Sequence, residues 1–359
     1  MIERYFDNAA TTPVDPRVVE EMLPYFTEAF GNPNSIHEPG QRAHAAVELA
    51  RERVAELFGG VDPIAFVFTS GATEANNWIA DSADAVWCSP FEHSSVFNAV
   101  LNRGGHILPN IGYLLTDGPD PNLMVDMKVA AIMHVNNETG AIIDAQVPLP
   151  EKTKLARDLT QTIGKVDLPT EIYLDLATFS AHKFYGPKGV GCLWMPSTIL
   201  EPMLHGGEQE DGWRAGTLNV PGIVGMGAAA AIALQEADKN KRHAETLRAL
   251  VLDEIEKTTD VQLNSPPNSS PYIVSLSFLG VEGETLVVEL DRAGYSISSG
   301  AACSSRSTEP SHVLTALGLP IEWIRGTIRI SFGKYNTEEA AINLAKELRK
   351  AVEKLRTMN

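Results

Sequence analysis

Cysteine is scarce in this chain. Cys88, Cys192 and Cys303 are the only three in 359 residues, far apart and without CxxC spacing. That excludes a disulfide framework and a zinc site built on paired thiolates, and it fits a reducing compartment. Positive charge is also in deficit: 29 Lys and Arg against 46 Asp and Glu leave a net charge of −17. A polyanion, whether nucleic acid or an anionic membrane, is therefore not the expected partner. A basic protein could be steered by such a field, although solubility alone explains it. The opening residues Met1 to Asp7 hold no apolar leader core and no Arg/Ser-rich transit pattern. No window is expected to reach the length of a membrane span, and there is no repeat or low-complexity tract. The expectation is a cytoplasmic protein with no membrane segment.

What is present is an ordinary globular composition, 44% hydrophobic and 21% charged, enough for one large domain and a smaller one. Asp15-Pro16 reads as a helix start, with the carboxylate as N-cap and Pro at the first helical position. Val18, Val19, Met22, Leu23 and Phe26 then give that helix an apolar face. A loop over residues 31–40 and a helix from about Gln41 to Phe58 follow. The continuous apolar run Ile64 to Phe68 predicts a strand buried on both faces. It feeds Thr69-Ser-Gly-Ala-Thr-Glu74 and a helix, so unpaired backbone N–H groups with the hydroxyls of Ser70 and Thr73 could hold a phosphate. A plain strand–turn–helix capped by Thr73 is the ordinary alternative.

Strands at 85–88 and 129–134 predict a mainly parallel sheet with helices on both faces. Ligands of such sheets sit beyond the carboxyl ends of the strands, where Thr73, His93, Asn137 and Lys183 all fall. The stretch Ser180-Ala-His182-Lys183-Phe-Tyr-Gly-Pro-Lys-Gly-Val-Gly191 follows an apolar run and breaks into a loop. An amine beside a hydroxyl and an imidazole is what a phosphate-bearing aldehyde cofactor needs, though a solvated surface lysine is the bland alternative. A second glycine-rich loop spans 205–217, an Ala/Gly-rich helix runs from Val224 to Ala237, and a charged helix from Asp238 to Thr258 leads to a turn-rich boundary. Beyond it come an alternating strand (Ile273–Phe278), a helix (Glu282–Ala293) and a closing amphipathic helix (Glu338–Leu355). Cys88 and Cys192 sit in apolar runs and suit the core. Cys303, in Ala-Ala-Cys-Ser-Ser-Arg, is the candidate exposed, mobile thiol. Arg329, alone in the apolar strand 327–332, suits a carboxylate partner, or a structural ion pair.

Tyr5-Phe-Asp-Asn-Ala-Ala-Thr-Thr-Pro13, Ser70-Gly-Ala-Thr-Glu74, His134-Val-Asn-Asn-Glu138, Ser180–Gly191, Arg214-Ala-Gly-Thr217 and Ser298-Ser-Gly-Ala-Ala-Cys303 stand in one order across nearly the whole chain. Together they resemble the class V aminotransferase group, and within it the cysteine desulfurases of the NifS/IscS type. The resemblance implies an α/β fold, the pyridoxal 5'-phosphate (PLP) transferase fold type I. Its large domain would span 15–258 around a mainly parallel seven-stranded sheet. Residues 1–14 and 259–359 would form a smaller α+β domain carrying the cysteine loop. It implies a homodimer in which Lys183 holds PLP and Ala72, Thr73, Ser180 and His182 bind its phosphate. Thr217 would reach the phosphate of the neighbouring subunit. His93 would stack on the ring, Asn137 and Gln161 would contact its oxygen side, and Asp158 would pair with the ring nitrogen. Arg329, assisted by Asn34, would hold the carboxylate of L-cysteine. The catalytic set would be Lys183, His93 and Cys303, with no resident metal and Cys303 as carrier of a persulfide or transient ligand of a cluster. Sulfur would pass to an acceptor or Fe–S scaffold protein.

The sequence departs from that pattern in places. Glu208 and Asp211 stand where the family usually has Gly and Arg. The segment 147–157 does not read as a buried strand, so Asp175 is a fallback for Asp158. Two other functions stay open. One is a PLP-dependent cysteine/cystine C–S lyase or selenocysteine lyase, against which Cys303 speaks. The other is an inactive dimeric scaffold of a sulfur-transfer complex, against which the pair Lys183 and Cys303 speaks.

Overall fold

The computed structural model describes residues 1–81, 85–109, 126–143, 149–168, 174–300 and 310–358. It divides into two compact units. The larger comprises Thr12–His134 and Asp144–Ala237; the smaller comprises Met1–Thr11, Val135–Ile143 and Asp238–Asn359.

In the larger unit, Asp15 caps the first helix as its sequence predicts, accepting from Arg17 N at 3.0 Å. The single apolar-faced helix expected there is instead two short ones, α1 (Pro16–Met22) and α2 (Pro24–Thr27). Pro24 cannot continue the hydrogen-bond ladder, so the chain breaks before it. Val18 alone of that face is buried, while Val19, Leu23 and Phe26 are exposed. Helix α3 (Glu38–Glu56) buries Ala43, Val47, Ala50 and Val54.

Seven strands follow: β1 (Phe66–Thr69), β2 (Val86–Cys88), β3 (His106–Ile107), β4 (Val129–Ala131), β5 (Lys154–Asp158), β6 (Leu176–Ser180) and β7 (Gly191–Trp194). They form one sheet in the order β1-β7-β6-β5-β4-β2-β3. Strands β6, β5, β4, β2 and β3 are parallel, and β7 runs antiparallel to both of its neighbours. Strand β1 therefore shares the direction of β6. The carboxyl ends of β1, β2, β4, β5 and β6 meet at one edge of the sheet, where such sheets place ligands. Helices α4 (Ala72–Asp81) and α5 (Ser94–Asn102) leave from that edge after β1 and β2.

Two expectations are corrected here. Ile64 is not in β1 but in a 3-10 turn, 71% exposed. The segment before Asp158 is a buried strand: β5 is central, and Leu155, Ala156, Arg157 and Asp158 are all buried. Its Lys and Arg hide it from a hydrophobicity pattern.

Helix α6 (Val220–Ile255) is one continuous element of 36 residues, not two. By length and composition it could cross a membrane, contrary to expectation, but 61% of its apolar window is buried inside the fold. It is a core helix, and residue 238, where the units divide, falls within it.

In the smaller unit, β8 (Val261–Leu263), β9 (Ile273–Phe278), β10 (Ser298–Ser299) and β11 (Thr327–Ser331) form an antiparallel sheet in the order β10-β11-β9-β8. Every residue of β9 is buried, so it is covered on both faces and not half-covered as its alternation predicts. Helices α7 (Gly283–Arg292), α8 (His312–Ala316), α9 (Ile321–Arg325) and α10 (Glu338–Arg356) complete the unit. Leu286 and Leu290 of α7 share a core with Leu344, Leu348 and Val352 of α10.

Candidate active site

The site is built on the strand ends of the larger unit. Beyond β6 the chain turns through Ala181–Lys183, and Tyr185 takes a left-handed backbone (φ 67°). A non-glycine residue holds that conformation only where its surroundings impose it. Here they do: Tyr185 N donates to Thr12 Oγ1 at 2.8 Å, while Thr12 N donates to His182 O at 2.9 Å. Asp15 N donates to Tyr185 O at 3.0 Å. Thr12 and Asp15 thus hold the lysine loop at His182 and Tyr185. A Cβ on Gly186 would lie 2.8 Å from Ala181 Cβ, so the turn also requires glycine there.

The turn after β1 meets the end of β6. Ala72 N, in the first turn of α4, donates to Ser180 Oγ at 2.7 Å. A Cβ on Gly191 would stand 2.5 Å from Gly71 Cα, so β7 and the turn touch backbone to backbone. Thr73 and Ser70 are exposed at this helix start. Glu74 accepts from Ser70 N at 2.8 Å and pairs with Arg214 at 2.8 Å, tying the turn to the loop that precedes Thr217. Burial alone would raise the Glu74 carboxyl; the Arg214 bonds outweigh it and hold it below its usual value. Thr217 itself is exposed.

His182 is pushed down to about 4 by burial and by the charges of Lys183, Lys188 and Lys165. At neutral pH it is a neutral imidazole among three amines. The start of α4, where Ala72 N meets Ser180 Oγ at the end of β6, suits a phosphate dianion.

Asp158 ends β5, buried, accepting from Thr160 N at 2.8 Å and Asn76 Nδ2 at 3.1 Å. Asp175 lies at the opposite end of these parallel strands, bound to Leu155 N and Lys154 Nζ at 2.9 Å each. Asp158, and not Asp175, therefore lies at the edge where the strands' carboxyl ends meet. Gln161 Oε1 accepts from Lys165 Nζ at 2.7 Å, which leaves its amide N–H₂ as the donor end. His93 caps α5: its Nδ1 accepts from Ser95 N at 3.1 Å, so a neutral ring carries its proton on Nε2.

An amine, an anion cradle and a buried carboxylate thus gather at one sheet edge. That donor set fits PLP, whose aldehyde, phosphate and ring nitrogen need those three partners.

Not every expected residue joins this group. Asn34 is exposed and lines a different cavity, of about 730 Å³, with Arg51, Glu208, Glu210 and Asp211. There Glu210, in a left-handed conformation, pairs with the buried Arg51 at 2.9 Å and accepts from Phe68 N at 2.8 Å. Asn137 and Arg329 belong to the smaller unit. Arg329 donates to Asn137 O at 2.8 Å and pairs with Asp7 Oδ1 at 2.9 Å, while its Nε has no partner among the described residues. Asn137 Oδ1 is likewise buried without one. Cys303 lies outside the described residues. Asn76 was not anticipated as part of the site; a buried Asn on a helix leaves no mark in a hydrophobic pattern.

The family described as Aminotransferase class-V matches residues 4–344. The chain belongs to the class-V aminotransferases. Among them it is similar to the cysteine desulfurase IscS of Dictyoglomus turgidum, 40% identical, with 99% of this chain and 96% of that one covered. A solved NifS-like protein, 34% identical, superposes with a TM-score of 0.87 over 98% of this chain and 99% of its own. A solved complex of SspA with cysteine, 30% identical, does so at 0.75 over 93% and 100%. This class-V aminotransferase thus spans its relatives nearly end to end, and the α/β fold expected from its motifs is the one observed.

Proposed function

We propose that the chain is a PLP-dependent cysteine desulfurase, a transferase that takes sulfur from L-cysteine and leaves L-alanine. The observation that carries this reading is the clamped Lys183 loop beside the Ser180 and Ala72 cradle, with Asp158 at the same sheet edge. Bound PLP supplies an aldehyde for covalent capture and a ring that withdraws electrons from the substrate's α-carbon. The residues divide the remaining work. Ala72, Thr73, Ser180 and His182 hold the phosphate, and Thr217 reaches that of a second subunit in a homodimer. Asp158 keeps a proton at the ring nitrogen. His93 covers the ring face, and Gln161 and Asn137 serve its oxygen side. Lys183, as a free amine, moves the proton at the substrate's α-carbon. Arg329 takes the substrate carboxylate.

The Cys303 thiolate then attacks the substrate sulfur. An S–S bond forms, the Cβ–S bond breaks, and its electron pair, with a proton, completes the methyl group of alanine. Sulfur leaves Cys303 for an acceptor or Fe–S scaffold protein in the cytoplasm. The test is incubation with PLP and L-cysteine, followed by intact-mass analysis and an alanine assay. One added sulfur on Cys303 with matching alanine supports the reading. Free sulfide that Cys303→Ala leaves unchanged would identify a lyase instead.

A further inference from the structure

Asn76 lies on α4, 4% exposed, and all three of its side-chain hydrogen-bonding groups are engaged. Its Oδ1 accepts from Thr178 Oγ1 at 2.6 Å. Its Nδ2 donates to Asp158 Oδ2 at 3.1 Å and to Ser95 Oγ at 2.9 Å, one hydrogen for each. The amide cannot be turned over, because its oxygen would then face the Asp158 carboxylate.

The chain of bonds continues past Ser95. His93 Nδ1 already accepts from Ser95 N, so the contact of 2.9 Å between Ser95 Oγ and His93 Nδ1 is the hydroxyl donating. A serine hydroxyl has one proton, and giving it to His93 leaves Ser95 Oγ to accept from Asn76. The directions are consistent from Thr178 through Asn76 and Ser95 to His93. One buried amide therefore touches the carboxylate at the end of β5 and, through one hydroxyl, the Nδ1 edge of His93.

We infer that Asn76 is a positioning residue for the cofactor: oriented by Thr178, it aims the Asp158 carboxylate and fixes the His93 ring. This rests on the reading of Asp158 as partner of the ring nitrogen and His93 as the group covering its face. A hydrogen bond to a charged group carries enough free energy for about tenfold in affinity.

The test compares Asn76→Ala, Thr178→Val and Asp158→Asn, titrating each apo-protein with PLP and recording the visible absorbance band of bound PLP and apo-protein melting. Asn76→Ala is expected to bind PLP about tenfold more weakly and to displace the band in the sense that Asp158→Asn does. Thr178→Val keeps the shape of the residue paired with Asp158 across β5 and β6 and removes only the hydroxyl that donates to Asn76, so it is expected to give a smaller change of the same kind. The double variant is expected to be no worse than Asn76→Ala, because the hydroxyl acts through the amide. If Asn76→Ala does not fold, Thr178→Val decides by the same two readouts. Lower melting with wild-type affinity and band in the Asn76 and Thr178 variants, while Asp158→Asn changes both, would overturn the inference alone. Wild-type affinity and band in Asp158→Asn would instead overturn the reading of Asp158, and the inference with it.

Discussion

Burial first, and then the charges of Lys183, Lys188 and Lys165, suppress the protonation of His182. Lys183→Ala is expected to lose the visible band of bound PLP and about 10²–10⁴-fold in alanine formation, measured by absorbance and by turnover. A second buried group behaves oppositely. Glu92 is raised to about 8, by burial first, although Ser89 Oγ and Met133 N donate to it at 2.5 and 2.7 Å. Its folded value lies above its unfolded one, so its contribution is complete below about 4.5 and is lost as pH rises toward 8. Between pH 6 and 9 the wild type should lose on the order of 2 kcal/mol relative to Glu92→Gln, which stays neutral throughout. Denaturant unfolding at the two pH values measures it. Lys183 stood out in the sequence because an amine, a hydroxyl and an imidazole sit within four residues. Glu92 and Asn76 did not, because a single buried polar residue is distinguished only by partners distant in the chain.

Secondary-structure elements were legible where one physical signal dominated. The Asp15-Pro16 cap, the Glu338 helix start and the β1 turn into α4 each carry their own local chemistry. Strand β5 failed that test. Arg157, 1% exposed, lies in the middle of the sheet, a placement no hydrophobicity pattern predicts. Helix α6 failed differently: its composition changes from Ala/Gly-rich to charged at about residue 238, yet the hydrogen bonding continues. Composition reports which surface an element meets, and backbone bonding reports where it ends. The contact between β7 and the turn after β1 gives an element-level prediction. Gly191→Ala places a methyl against backbone atoms of Gly71 at 2.5 and 2.7 Å, and backbone cannot swing aside as a side chain can. The strand or the cradle must shift, at a cost of about 1–3 kcal/mol. Both PLP affinity and melting temperature should fall.

At the scale of the whole molecule, chain order and unit membership do not coincide. The smaller unit takes its first eleven residues from the N-terminus, nine from the middle of the chain and the rest from residue 238 onward. Sequence analysis drew the smaller domain from residues 1–14 and 259–359 alone, because nothing in Val135–Ile143 marks it as foreign to its neighbours. The N-terminal segment is structural in its own unit. Phe6, fully buried, packs edge-on against Phe332 at 6.1 Å and near Tyr295 at 6.4 Å. Asn8 Nδ2 donates to Tyr5 O and Ser331 O at 2.9 Å, and Asp7 neutralises the buried Arg329. The segment therefore fills the core of the unit and supplies the counter-charge to a residue assigned to substrate binding. These two contributions separate by mutation. Phe6→Ala should cost about 3–5 kcal/mol of stability, seen as a lower denaturant midpoint, through the cavity it leaves. Substrate affinity in the protein that remains folded should be little altered, because Asp7 and Arg329 keep their bond. Asp7→Asn removes the charge and keeps the shape, and leaves Arg329 more strongly attractive to a carboxylate. A steady-state assay should then show KM for L-cysteine falling while stability declines, and a fall in stability without any change in KM would confine Asp7 to the fold.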